Sequence, residues 1–195
     1  MPDLTVLAFD TSAAHCAAAV VRGTDVLAEV TEPMAKGQAE RLFPLLEETL
    51  AQAGVQWSDL DAIGVGTGPG NFTGIRISVA AARGLALSLS RPAIGVGVTE
   101  AAIFDAPRPC RAVVPARGDD VFWQDFTPAP GEVAQSPQSD LPPGPPVATP
   151  RWPLAVAIAR ITAERAATPQ PRPAPIYLRP ADAAPPRDPA PVILP

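Results

Sequence analysis

Residues 61–84 read DAIGVGTGPGNFTGIRISVAAARG, and this stretch decides the fold. The apolar run Ile63-Gly64-Val65-Gly66 fits a short buried strand. Gly68-Pro69-Gly70-Asn71 follows as a tight turn. Thr73 is placed to cap a helix over about residues 73–89. Backbone N–H groups of such a turn, feeding a helix N-terminus, can hold an anion. The same turn can equally be a plain strand-to-helix connection whose glycines let the backbones pack closely. It is not a P-loop, because Thr73-Gly74-Ile75 stands where Gly-Lys-Ser/Thr is needed. It is not a G-x-G-x-x-G fingerprint either, because Thr73 takes the place of the third glycine.

Upstream, residues 4–10 (LTVLAFD) form a buried strand ending in an acid. Apolar runs at 15–22 and 25–31 are split by the hairpin signal Gly23-Thr24-Asp25. Leu42, Leu45, Leu46, Leu50 and Ala53 recur at helical spacing over 38–53, with Gly54 as C-cap. Pro44 is tolerable there only near the first turn or at a kink. Strands at 62–67 and 93–97 and a short helix near 99–105 complete the order βββαβαβα. Asp10-Thr11-Ser12, after the first strand, is the best polar cluster. It can hold a phosphate or a metal-bound water, or form an Asx-type turn. With Gly68, Gly70 and Thr73 it makes up the candidate anion or nucleotide site.

Proline divides the chain. Five of 27 prolines fall in residues 1–105 and 22 in residues 106–195, so regular structure concentrates in the first part. The expected organisation is an N-terminal subdomain over 1–105 and a short Pro-rich C-terminal subdomain over 106–195. In the latter, 111–116 and 120–127 form a hairpin across Gly118-Asp119, 128–151 is an extended linker, 154–166 is a helix and 175–179 a last strand. This part is too small to bury a core alone and must lean on the first.

Composition narrows the function. A net charge of −5 with a single Lys argues against a chain that grips a phosphate backbone by itself. Cys16 and Cys110 lie far apart with no C-x-x-C, which predicts two buried thiols in a cytoplasmic protein. No apolar segment reaches the roughly 18–20 residues of a membrane span, and no targeting signal opens the chain. The single His, His15, supplies neither a His-based metal site nor a Ser-His-Asp triad.

On helix 73–89, Gly74, Ser78, Ala82, Ala86 and Ser90 recur every four residues, beside a stripe of Ile77, Ala81, Leu85 and Leu89. The small-residue face lets another helix approach closely, either the 38–53 helix of the same chain or a helix of another subunit. If the partner is another subunit, Gly74→Leu or Ala82→Arg breaks pairing and leaves the monomer folded.

The βββαβα order with an acid-hydroxyl turn after the first strand resembles the acetate kinase/actin/Hsp70 (ASKHA) superfamily, an actin-like, ribonuclease H-like α/β fold. The stretch Gly68–Ile77 is similar to GPGSFTGIRIG, the signature of the bacterial TsaB (YeaZ) family. Asp10-Thr11-Ser12, Glu40-Arg41-Leu42 with Pro44, Ala116-Arg117-Gly118, Val121-Phe122-Trp123 and Pro175-Ile176-Tyr177-Leu178-Arg179 also resemble that family, in order. The likeness is dense over 1–127 and patchy beyond. It implies a non-catalytic subunit of tRNA N6-threonylcarbamoyladenosine (t6A37) synthesis, with no catalytic residue, metal or cofactor of its own. The implied partners are the catalytic paralogue TsaD and the ATPase TsaE, with tRNA met only indirectly, no membrane, and a homodimer when alone. TsaD carries a His-x-x-x-His metal motif on the helix matching 38–53, where this chain has Gln38-Ala39-Glu40-Arg41-Leu42. The implied pairing surface is the two helices, with Arg41, Leu42, Leu45, Gly74, Ile77, Ser78, Ala81, Ala82 and Leu85. Three departures stand out: Asn71 replaces the usual Ser, Pro115 the usual Asp, and the second domain is short. An ATP-using phosphotransferase and a glycoprotease-like metallopeptidase are the enzyme alternatives.

Overall fold

The computed structural model describes residues 3–178. Strands β1 (Thr5–Asp10), β2 (His15–Arg22) and β3 (Asp25–Pro33) form an antiparallel meander. Strands β4 (Ala62–Gly66) and β5 (Ala93–Val96) extend it in parallel, giving the order β3-β2-β1-β4-β5. Helix α1 (Gln38–Ala53) links β3 to β4, and α2 (Phe72–Leu89) links β4 to β5. The actin-like α/β fold expected from the sequence is the fold observed. The short helix α3 runs over Val98–Ala102, three residues earlier at its end than expected.

Alternation along β1 sends Leu7 and Phe9 to one face and Val6 and Ala8 to the other. The first face is large and aliphatic, with Leu42, Leu45, Leu46 and Leu50 of α1 and Ile75, Val79 and Ala82 of α2 closing over it. The second is built from small residues, Ala8, Ala17, Ala19 and Ala62. Helix α4 (Leu154–Arg165) lies on it, burying Ala155, Val156, Ala157, Ile158, Ala159 and Ile161. A Cβ at Gly64 would overlap Thr162 Oγ1 and come within 3.1 Å of Ile158 Cγ2. Glycine on β4 therefore sets how closely α4 approaches the sheet.

Pro44 lies inside α1, beyond the first turn. Its missing N–H frees the carbonyl of Glu40. Both residues are exposed, so water can satisfy that carbonyl. The thiols of Cys16 and Cys110 are free and buried, and burial pushes the Cys16 thiol up to about 11.

A second sheet, β6-β7-β8, comprises Cys110–Pro115, Asp120–Phe126 and Ala134–Pro137. The hairpin is as expected, but 128–151 is not a free extended linker. It supplies β8 and then returns along the outer edge of β6. Arg111 N donates to the Pro146 carbonyl (2.8 Å) and Ala148 N donates to the Arg111 carbonyl (2.9 Å). Proline lacks a donor but keeps its acceptor, so a Pro-rich segment can still cap a strand edge.

The Arg111 side chain anchors this return. Its Nη1 donates to the Pro142 carbonyl (2.6 Å), and Nε and Nη2 donate to Asp125 Oδ1 (2.5 Å) and Oδ2 (2.9 Å). The guanidinium stacks over Trp123 at 4.6 Å. Its hydrogen bonds hold the Asp125 carboxyl below its ordinary value of 3.8. A carboxyl depressed in the folded state stabilises the fold above its unfolded pKa and loses that contribution as pH falls through the folded one. Wild type is therefore expected to exceed Asp125→Asn in denaturant midpoint by its full margin at neutral pH. The margin should shrink once pH drops below about 4. A margin that stays constant down to the acid transition would remove Asp125 from this role.

The strand expected at 175–179 does not form over 175–178, and Arg179 lies outside the described residues. Residues 172–178 instead cross the sheet edge as an extended strap, with Ile176 N donating to the Thr67 carbonyl at 2.8 Å.

Candidate functional site

The turn after β1 and the turn after β4 meet at the carboxyl ends of two neighbouring parallel strands. Asp10 is fully buried. Its Oδ1 accepts from Ser12 N (2.9 Å) and Ser12 Oγ (2.8 Å), and pairs with His15 Nε2 (2.7 Å). Its Oδ2 is buried without a partner among the described residues and faces Gly66, where a Cβ would overlap it. Thr11 Oγ1 donates to the Gly74 carbonyl (2.7 Å), and Asn71 N donates to the Ser12 carbonyl (2.5 Å). Gln38, at the start of α1, donates to the carbonyls of Ala13 (2.6 Å) and His15 (2.9 Å).

The structure brings Asp10, Thr11, Ser12 and Gly70 together, but as a closed clasp. A Cβ at Gly70 would overlap the Ser12 carbonyl, and one at Gly74 the Thr11 carbonyl. Gly68, at φ +92°, packs against Ile75 of α2. Two N–H groups of the turn are already spent, that of Asn71 on the Ser12 carbonyl and that of Gly74 on Asn71 Oδ1 at 3.0 Å. In this arrangement Gly68, Gly70 and Gly74 serve close packing, and an anion at Asp10, Thr11, Ser12, Gly68, Gly70 and Thr73 would require the clasp to open. The structure does correct the cap. Asn71, not the exposed Thr73, is the N-cap of α2, and Asn caps as well as the Ser usual there.

The pairing face needs a parallel correction. Gly74, Ser78 and Ala82 on α2, and Leu42 and Leu45 on α1, are buried in the chain's own core. They face the sheet because α2 lies along β4, so a partner cannot reach them. Ile77, Ala81 and Leu85 remain partly exposed. Arg41 is held by two carboxylates, donating to Glu32 Oε1 (2.6 Å) and Oε2 (2.8 Å) and to Glu48 Oε1 (2.8 Å) and Oε2 (2.6 Å). Both carboxyls are lowered by that guanidinium.

The residues that sequence reading missed lie one step around the helix. Ala80, Gly84 and Leu87 are exposed, Leu87 by 84%, as is Phe43 of α1 by 45%. At 18 residues, α2 is long and apolar enough by length and composition to cross a membrane, contrary to the sequence expectation, yet only 28% of it is buried. In this fold it is a core helix whose outer face is more apolar than its own packing requires. Among the described residues, no group of three or more His, Cys, Asp or Glu is arranged to hold a metal.

A βββαβα sheet with two helices over one face and a third helix over the other defines an actin-like domain, here with the turns at its strand ends clasped shut. The family model of TsaD, tRNA N6-adenosine threonylcarbamoyltransferase, matches residues 25–136. An uncharacterized protein of Mycobacterium tuberculosis is 34% identical over 199 residues, covering 93% of this chain and 94% of its own. The tRNA threonylcarbamoyladenosine biosynthesis protein TsaB of Escherichia coli is 31% identical over 128 residues, covering 63% and 55%. The solved structure of YeaZ from Pseudomonas aeruginosa superposes with a TM-score of 0.70 at 26% identity, covering 90% of this chain and all of that one. The chain belongs to the TsaB (YeaZ) family.

Proposed function

We propose that this chain is a non-catalytic, activating scaffold subunit of t6A37 synthesis. It pairs with the catalytic paralogue TsaD through the outer face of α1 and α2. The observation that carries this is the partly exposed apolar face of α2, where Ile77, Ala81 and Leu85 are half-buried and Leu87 is exposed among the described residues. Exposed apolar area of this kind marks an association surface. The name of the Escherichia coli relative supports the pathway. The clasp supports the non-catalytic part, because Thr11, Ser12 and one of the two Asp10 oxygens are committed to internal hydrogen bonds. TsaE joins the assembled pair, tRNA is met only through the complex, and the same face closes a homodimer when TsaD is absent.

Mass analysis of the purified chain, alone and mixed with its cognate TsaD, tests this. The expected result is a homodimer that gives way to a stable heterodimer. A chain that ignores TsaD and binds ATP tightly would instead favour an independent phosphotransferase, with the clasp opening to admit the nucleotide.

A further inference from the structure

Gly84 sits in the interior of α2, and the chain's own packing does not call for it. Among the described residues, no atom beyond the neighbouring helix backbone lies within 4 Å of where its Cβ would stand. A glycine inside a helix is about 1 kcal/mol less favourable than alanine. Gly74, in the same helix, is needed for close contact with Thr11; Gly84 has no such neighbour among the described residues. It forms the floor of an open groove of about 630 Å³, walled on one side by α2 and on the other by the strap.

The strap is built in. Pro173 is buried against Gly95, and its carbonyl accepts from Arg83 Nε at 2.7 Å. Tyr177 Oη accepts from Arg76 Nε at 2.9 Å, and the Tyr177 ring lies 4.9 Å from that of Phe72. These contacts hold Arg83 and Arg172 at the groove.

Charge sets the kind of occupant. Helix α2 carries no acidic residue, and none lines the groove. Arg76, Arg83 and Arg172 enter none of the ion pairs among the described residues. In a chain of net charge −5, this is a cationic surface without a counter-charge among the described residues. Ala80, Gly84 and Ser88 follow at four-residue spacing on the exposed side, which suits a helix crossing by ridges into grooves.

We propose that the groove between α2 and the strap receives a carboxylate-bearing helix of the partner subunit. Its backbone passes over Gly84, its acids meet Arg83 and Arg172, and it covers the exposed Leu87. This rests on the pairing proposed above and adds the strap to the pairing surface. Guanidinium groups favour carboxylates because their paired N–H donors match the two oxygens.

The test is titration of the full chain with its cognate TsaD, by calorimetry at low and high salt. The variants are Gly84→Leu and Arg172→Glu, with Ile77→Asp as a control on the neighbouring stripe. Gly84 has open space around it and Arg172 is exposed, so both groove variants should melt no lower than wild type. Each is expected to weaken binding about tenfold or more, and Arg172→Glu should also flatten the salt dependence. Wild-type affinity in both groove variants, with binding lost in Ile77→Asp, would overturn the groove and leave the pairing face standing. No complex with wild type at any concentration would overturn both. Self-association that both groove variants abolish, alongside unaltered TsaD binding, would give the groove to a second copy and overturn the proposal.

Discussion

Gly74→Leu is expected to cost the protein its fold, not merely its partner. The glycine Cα lies against the Thr11 backbone carbonyl, and any Cβ would overlap that oxygen. Backbone at both sides of the contact is held, by Thr11 Oγ1 on the Gly74 carbonyl and by Asn71 Oδ1 on the Gly74 N–H. The clash therefore cannot be relieved by turning a side chain. Pushing α2 away would break the buried Thr11 hydrogen bond and lift Ile75 and Val79 off the sheet. Overpacking of about 1–3 kcal/mol and a lost buried hydrogen bond of about 1–3 kcal/mol act together. Their sum takes a large part of the roughly 5–15 kcal/mol that holds a domain folded. The measurement is a denaturant melt followed by far-UV circular dichroism. A transition within about 1 kcal/mol of wild type would mean that the clasp yields easily. Read from sequence alone, the same substitution breaks pairing in a folded monomer; burial reverses that expectation, and the same holds for Ala82→Arg.

A chain ending at Pro150 should not fold. We propose that residues 1–105 form the actin-like subdomain and that 106–195 lends it a second layer. Helix α4 is that layer, and Val156, Ile158 and Ile161 are each nearly or fully buried against the sheet. Burial of each contributes about 1.5–3 kcal/mol, so losing the three removes an amount comparable to the whole stability. The uncovered face would present Val6, Ala8, Ala17, Ala19 and Val21 to water, an apolar patch that promotes aggregation. A soluble truncated chain with a cooperative thermal transition would show that the first sheet stands without α4.

The strand and helix order was legible because period and punctuation carry it. Gly23-Thr24 turned the hairpin, Gly54 ended α1, and the Pro-poor first half held every strand of the main sheet. The Pro-rich segment was misread because composition reports missing donors, whereas Pro142 and Pro146 act here as acceptors for Arg111. The helix faces were misjudged for a different reason. Two small-residue stripes run along α2, one through Gly74 and Ser78 and one through Ala80 and Gly84. Spacing alone does not say which of them meets the sheet.

The sequence by itself determined the family and the element order, since motifs and residue types are local properties of the chain. Only the tertiary structure decided that Asp10-Thr11-Ser12 and the glycine turn lock onto each other, that α4 returns to the first sheet, and which side of α2 is free. Those outcomes depend on contacts between segments far apart in the chain, such as Thr11 with Gly74, 63 residues on, Arg76 with Tyr177, 101 residues on, and α4 with β1. Such contacts are made by packing, and no local pattern encodes them.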